Sequence, residues 1–499
     1  MKNHHITTLF RKAWLLIPVL LISFSCEDFL DRKPQGQLLQ TSWPTSAADA
    51  LAATNAVYAS LRNWYFHSGG YPILDIMSDD ARKGSSPADQ VSTVGAYDAF
   101  AINTQQDGLD RWWAAVYQGI RNANIAITYI PTVPMDDALR TRYVAEARFL
   151  RALFYFDMVR AWGGVPLVTV PDPPLNMTRA TSDEVYAQII SDLTFAAQNL
   201  PERDAYTGSD IGRASKGAAK AYLAKAYLFK GDLINAEQPA VDVILSGKYS
   251  LETNFEDANG VNGNFGVESV FEVGAKPNDG NDNGGAQYAN TQGIRGSPNR
   301  GWGFNRPSVD LINSFEANDP RKEATVIFLG EVLAGVPTLG DLTNPDTIKV
   351  NNVIVEVECY NQKVWTSGGD TPSQWGHHRR LMRYADVLLM AAEILNKNGN
   401  SGQARIYLNQ VRLRARGGNG SILPDITETD QNLLHDIIIN ERRHELALEG
   451  HRYWDLVRTG KAATVLGPLG YTAKYDLLPI PQSQIDLSQG RITQNPGWN

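Results

Sequence analysis

The sequence predicts a mainly α-helical protein, in which tetratricopeptide-like helix pairs form a scaffold carrying a loop-rich insertion with a few short strands. Three observations predict it. Apolar residues recur at helical spacing over long stretches from Ser46 onward, and two later segments each read as helix, Gly-bearing turn, helix. Residues 259–305 hold eleven Gly and nine Asn, a composition that builds neither long helices nor a core of its own. The chain has 499 residues, 43% hydrophobic and 20% charged, which excludes wholesale disorder and a multi-span membrane protein. Lys and Arg number 46 against 54 Asp and Glu, for a net charge of −8, so the basic excess that holds a phosphate backbone is missing and no nucleic-acid partner is expected.

The first element is an export segment. Lys2, Arg11 and Lys12 precede an apolar run from Trp14 to Phe24, shorter than the ~20 residues a spanning helix needs. The run ends in Ser25-Cys26, which resembles a bacterial lipoprotein cleavage site, although Ser23 stands where an aliphatic residue is usual. Residues 1–25 are therefore read as a lipoprotein signal peptide, Cys26 as the lipid attachment site, 26–45 as a lipidated tether, and 46–499 as one helical domain with its insertion at about 251–375. Plain secretion is the alternative. Loss of residues 1–25 removes three positive charges and no acid, leaving a mature charge of −11. Cys359 lies in the alternating run VIVEVECYNQKVW and is expected to be a small buried hydrophobe; two cysteines support neither a disulfide framework nor a Cys-containing metal site.

The helices follow in order. Ser46 and Asp49 cap the first, with Leu51, Val57, Tyr58 and Leu61 on its apolar side. The second runs from Asp107 to Ile130 with Trp112 and Trp113 in its stripe. The third, residues 136–162, is dense in aromatics and stops at Gly163-Gly164 before Pro166. Ser182-Asp183-Glu184 opens a fourth that ends near Pro201. The segments from Ser215 and from Tyr384 each form a helix pair, with Ala219, Ala226, Ala391 and Ala392 where two helices approach closely. This pattern resembles the tetratricopeptide unit, which exposes an apolar face until neighbours stack on it; an ordinary antiparallel pair fits the same residues. Strand-like pieces follow in the insertion, TVIFLGEV and NNVIVEVECY.

The start CEDFLDRKPQ, the segments GWGFNRPSVDLINSF, LMRYADVLLMAAEILNK and NERRHELALEGHRYWDLVRTGK, and the ending DLLPIPQSQIDLSQGRITQNPGW together resemble the SusD/RagB family of outer-membrane nutrient-binding lipoproteins. The resemblance spans nearly the whole chain after Cys26. It implies a SusD-like fold with four tetratricopeptide-like pairs and a lipid-anchored place on the outer membrane facing the exterior. It also implies a SusC-like TonB-dependent transporter as partner, to which captured oligosaccharides are passed.

The charged stretch 441–458 invites a catalytic reading that fails on spacing, since His444-Glu445 lacks the histidine at 448 that a zinc-protease signature needs. Glu441, Glu445 and Glu449 share one helix face, where like charges repel unless arginines intervene; Arg383, Arg442, Arg443 and Arg452 are the expected partners in a clamp of C-terminal helices. The adjacent His377 and His378 have poor geometry for one metal. No catalytic residue, metal or cofactor is expected, and structural calcium stays open.

Sugar binding asks for aromatic faces beside hydrogen-bonding side chains on loops. The candidates are Asn63, Trp64, Tyr65, Asp79 and Asp80 after the first helix, Tyr97 and Phe100 next, and Tyr288, Trp302 and Asn305 in the insertion. Trp112, Trp113, Trp162 and Trp454 sit in helical stripes and belong to the core. The expected function is glycan capture; a peptide binder on the same scaffold, or a helical glycoside hydrolase, is the alternative.

Overall fold

The computed structural model of the protein describes residues 43–66, 75–174, 176–275, 286–343, 346–350, 352–366 and 376–498. The signal segment and Cys26 lie outside the described residues. The chain divides into two units, residues 1–45 and 46–499, the second containing the scaffold and the insertion.

Helix α1 (Ala47–Leu61) opens with a reciprocal cap: Ser46 Oγ accepts the Asp49 N–H and Asp49 accepts the Ser46 N–H. Helices α2 (Asp107–Tyr129) and α3 (Asp137–Trp162) follow, α3 capped by Asp136 and ended by Gly163 at φ +69. Helix α4 (Ser182–Asn199) is capped by Thr181, one residue ahead of the expected start, because Thr181 Oγ1 and Glu184 satisfy each other's backbone N–H groups. Helices α5 (Lys216–Lys230) and α6 (Leu233–Leu245) join through Gly231 in the left-handed region. After the insertion come α7 (Tyr384–Lys397), α8 (Ser401–Ala415), α9 (Gln431–Leu446) and α10 (Arg452–Arg458). Each of α1 to α8 packs on the next, including α6 on α7. The two helix pairs that are far apart in sequence are thus neighbours in one array, and the insertion loops out between them.

Helix α3 is the centre of that array. Eighteen of its 26 residues are buried, which explains a stripe too wide for a surface helix. Trp162 meets Trp112 at 4.7 Å and Trp113 at 5.1 Å, and Phe149 meets Tyr222 at 5.6 Å and Phe271 at 4.9 Å. At the α2–α3 crossing a Cβ on Gly119 would come within 2.6 Å of the Phe154 ring, so only glycine permits this approach. The C-terminal segment closes over α3, with Trp162 Nε1 donating to the Pro479 carbonyl at 2.9 Å.

The strands of the insertion and its surroundings form antiparallel pairs. They are β1 (Ala81–Gly84) with β3 (Phe304–Pro307), β2 (Ser269–Val273) with β10 (Arg379–Arg383), β4 (Val326–Phe328) with β9 (Cys359–Asn361), and the hairpins β5 (Val332–Leu333)–β6 (Val336–Pro337) and β7 (Thr347–Val350)–β8 (Val353–Val357). Cys359 is fully buried, its Sγ lies 3.4 Å from the Pro307 carbonyl, and burial pushes its thiol up to about 12. Among the described residues no helix is long and apolar enough to cross a membrane.

A buried ion network ties α7, α8, α9 and the insertion together. Arg383 donates to Glu449 at 2.7 and 2.8 Å and to Glu445 at 3.1 Å, and also pairs with Glu268. Arg321 bridges Asp319 and Glu441, Arg412 reaches the other Glu441 oxygen at 2.7 Å, and Lys363 reaches Glu449 at 2.6 Å. Of the expected arginines, only Arg383 serves these glutamates. Arg442 pairs instead with Asp386 and Asp455, Arg443 with Asp79, Asp80 and Asp310, and Arg452 with Asp79. Neighbouring positions on a helix point to different faces, so Arg442 and Arg443 turn away from Glu441. Burial would raise Glu445, yet Arg414, Arg383 and Arg321 hold it at about 2.

Candidate functional site

The turn after α1 is built by local bonding. The Asn63 side chain accepts the Tyr65 N–H at 3.0 Å and the Asn63 carbonyl accepts the Phe66 N–H at 3.0 Å, an Asx turn. Phe66 is fully buried and meets Phe154 at 5.3 Å. This plug fixes the turn, leaving Asn63 exposed and Trp64 and Tyr65 half-buried at the surface.

The partner ring comes from the loop ahead of β3. A Cβ on Gly301 would lie 2.4 Å from the Asn290 carbonyl, and Gly303 adopts φ +74. Both positions demand glycine. Pressed between them, Trp302 donates its backbone N–H to Asn290 at 2.7 Å and keeps 42% of its surface exposed. Its ring centroid lies 5.7 Å from that of Trp64, with the planes 59° apart. Tyr65 stands edge-on to Trp64 at 6.5 Å, and the Arg111 guanidinium lies 5.2 Å over the Tyr65 ring while donating to Asp107 at 2.7 Å. The result is an inclined aromatic platform with Asn63, Arg111 and Asp107 at its edge. Aromatic faces of this kind accept the C–H face of a sugar ring, and the edge groups suit hydroxyls. Sequence reasoning missed Arg111, because on α2 it reads only as the partner of Asp107 four residues earlier.

The other candidates are scaffold. Asp79 accepts from Arg452 at 2.8 Å and Asp80 from Arg443 at 2.6 Å, both buried. Burial alone would raise Asp79, but Arg452 and Arg443 hold it below the usual carboxylate range. Asp80 is raised by burial despite the opposing Arg443 charge. Tyr97 is buried in the short helix Gly95–Asp98, and Phe100 packs edge-on against Tyr471 and Tyr475. Tyr288 is buried beneath the Arg379 guanidinium, 4.8 Å from its ring. Asn305, fully buried at φ +54, accepts the Asp75 N–H and donates to Gln292. The sequence marked their residue types but not the distant segments that cover them.

His377 and His378 are also interior. His377 Nε2 lies 2.9 Å from the Lys363 carbonyl, burial drives its pKa down to about 3, and His378 Nδ1 lies 2.7 Å from Glu272. Glu316, Glu441 and His444 bring ligand-type atoms within 4.8 Å of one another. Arg412 and Arg321 already neutralise the two carboxylates, so a cation there would compete with two guanidinium groups.

Comparison with known proteins gives the family and the fold. A family model described as the SusD family matches residues 267–498, and one described as starch-binding associating with outer membrane matches residues 28–228. SusD-like protein P2 of Formosa agariphila is 29% identical over 97% of this chain and 98% of its own. Starch-binding protein SusD of Bacteroides thetaiotaomicron is 25% identical over 74% and 75%. Among solved structures, a laminarin-binding SusD-like protein is 31% identical, covers 91% of this chain and 100% of its own, and gives a TM-score of 0.75. Surface glycan-binding protein A from Bacteroides thetaiotaomicron in complex with laminarihexaose is 26% identical over 90% and 100%, with a TM-score of 0.74.

Proposed function

The chain belongs to the SusD family, and on that premise we propose that it is a surface glycan-binding lipoprotein of the outer membrane. In this reading Cys26 carries the lipid, the Trp64–Trp302 platform captures oligosaccharides, and a SusC-like TonB-dependent transporter receives them. The observation that carries the reading is the meeting of those two rings at 5.7 Å on a surface flanked by Asn63 and Arg111.

The 59° between the ring planes favours a glycan that curves. A flat ribbon chain offers its sugar faces in parallel planes, whereas a helical glucan turns successive faces and meets inclined rings in sequence. Laminarin, which names one relative of this chain, and starch, which names another, are curved neutral glucans. The mature charge of −11 works against polyanionic chains. Capture rather than hydrolysis is supported by the fate of the paired carboxylates: Asp79 and Asp80 are bound to arginines, while a glycosidase needs two carboxyl groups free to work across one bond.

A titration screen of the protein from Glu27 onward tests this, with laminarin, starch and cellulose oligosaccharides and a peptide mixture. Binding of a curved glucan without release of reducing sugar over hours is the expected result. Binding of peptides alone, or steady release of sugar, overturns it.

A further inference from the structure

A cleft of ≈ 300 Å³ lies between α1, the turn 209–213 and β2, and its lining includes Asn55, Ala59, Arg62, Ile211, Phe265 and Val273. Arg62 is two residues before Trp64, so their Cα atoms are at most about 7.6 Å apart. The cleft thus lies beside the turn that carries the platform.

Its inner wall is set by an unusual backbone. Phe265 adopts φ +53, a region bulky side chains rarely enter and one that tends to mark functional positions. Three contacts hold it there. Its N–H donates to Glu272 at 2.6 Å, its ring stands edge-on to His378 at 4.6 Å, and a Cβ on Gly212 would fall 2.2 Å from the ring. Elsewhere on the lining Ile211 is 51% exposed and Ala59 is exposed. The rim is polar, with the Asn55 side chain bonded to Arg213 at 2.8 Å. An apolar wall with an aromatic ring and an amide-guanidinium rim has the chemistry of the platform itself, and the volume lies at the lower end of ordinary ligand sites.

We propose that this cleft is a further sugar subsite, occupied by residues of a neutral oligosaccharide long enough to run from the Trp64–Trp302 platform past Asn63. The proposal rests on the platform reading and adds chain-length selectivity to it. Short oligosaccharides fill the platform alone; longer ones gain the second set of contacts.

The test is isothermal titration with laminaritriose and laminarihexaose. In Ala59→Trp the new ring fills the cleft from an exposed helix position, and Ile211→Ala trims the lining contributed by the turn 209–213. Each is expected to weaken laminarihexaose roughly three- to tenfold, the scale of one lost aromatic or aliphatic contact, while laminaritriose affinity and the melting temperature stay unchanged. Unaltered laminarihexaose affinity in both variants, or equal weakening of both sugars, overturns the subsite and leaves the platform standing. Failure of the wild-type protein to bind either sugar overturns the subsite, and failure to bind starch oligosaccharides as well overturns the platform reading with it.

Discussion

The Trp64 and Trp302 rings meet at 5.7 Å with their planes 59° apart, one carried by the turn that ends α1 and the other by the loop that enters β3. Each ring is positioned by its neighbours rather than by its own packing. The buried Phe66 anchors the first turn, and Gly301 and Gly303 let the second loop lie flush against Asn290. Removing either indole therefore subtracts surface area from the platform without opening the core.

Asp79 separates the scaffold from the site. Asp79→Asn removes the charge that faces Arg452 and Arg443 and leaves two guanidinium groups under-compensated, a loss of about 2–4 kcal/mol in thermal or urea unfolding. The protein that remains folded at low temperature should bind glycan with unchanged affinity. Weakened binding with unchanged stability would return Asp79 to the ligand.

Arg383 joins three glutamates, Glu268, Glu445 and Glu449. Arg383→Met leaves Glu268, Glu445 and Glu449 with only Arg414, Arg321 and Lys363 to balance them, and a cost of about 3–5 kcal/mol is expected. The network also has a pH signature. Glu445 falls from 4.5 to about 2 on folding, so the unfolded chain binds its proton first and the stabilisation is present above 4.5 and lost as pH falls toward 2. Melting temperature measured from pH 6 to 3 should fall more steeply in the wild type than in Arg383→Met; equal slopes would contradict the assignment.

Asp75 carries the opposite sign. Burial and the neighbouring Asp80 raise it from 3.8 to about 7, while its Oδ2 accepts the Gly450 N–H at 2.9 Å. The folded state thus holds the proton more tightly, and stability falls as pH rises between 3.8 and about 7. Asp75→Asn keeps an acceptor for Gly450 and cannot ionise. It should lie within about 1 kcal/mol of the wild type near pH 4 and exceed it at pH 8 by roughly 3–4 kcal/mol. An equal difference at both pH values would show that Asp75 does not titrate in this window.

Cys26 is tested in cells. Growth with labelled palmitate should tag the wild type and leave Cys26→Ser untagged. Label on both proteins, or on neither, would remove the lipid attachment from the account.

Much of the scaffold was legible because its signals are local. Ser46 with Asp49, Asp136, and Gly163 mark helix ends within a few residues, and the stripes of Trp112, Trp113 and Trp162 announce burial without knowledge of the partner. Trp64 and Trp302 stood out as rings where the helical stripe breaks. Tyr97, Phe100 and Tyr288 carried the same mark and are buried, because what covers a loop ring is decided by chain hundreds of residues away, such as Tyr471 and Tyr475 over Phe100. Asp79 and Asp80 are buried in the same way, their arginines lying at 443 and 452. The cleft beside Phe265 left no sequence signal, since it depends on a left-handed backbone at an aromatic residue.

The central claim is that the inclined indole pair grips the sugar. Titration of laminarihexaose into Trp64→Ala and Trp302→Ala tests it most directly, with thermal melts run alongside. Each substitution is expected to weaken binding by about tenfold or more, the scale of a lost aromatic contact together with its buried area, while the melting temperature moves by no more than about 2 °C. Affinities equal to the wild type in both variants would contradict the account.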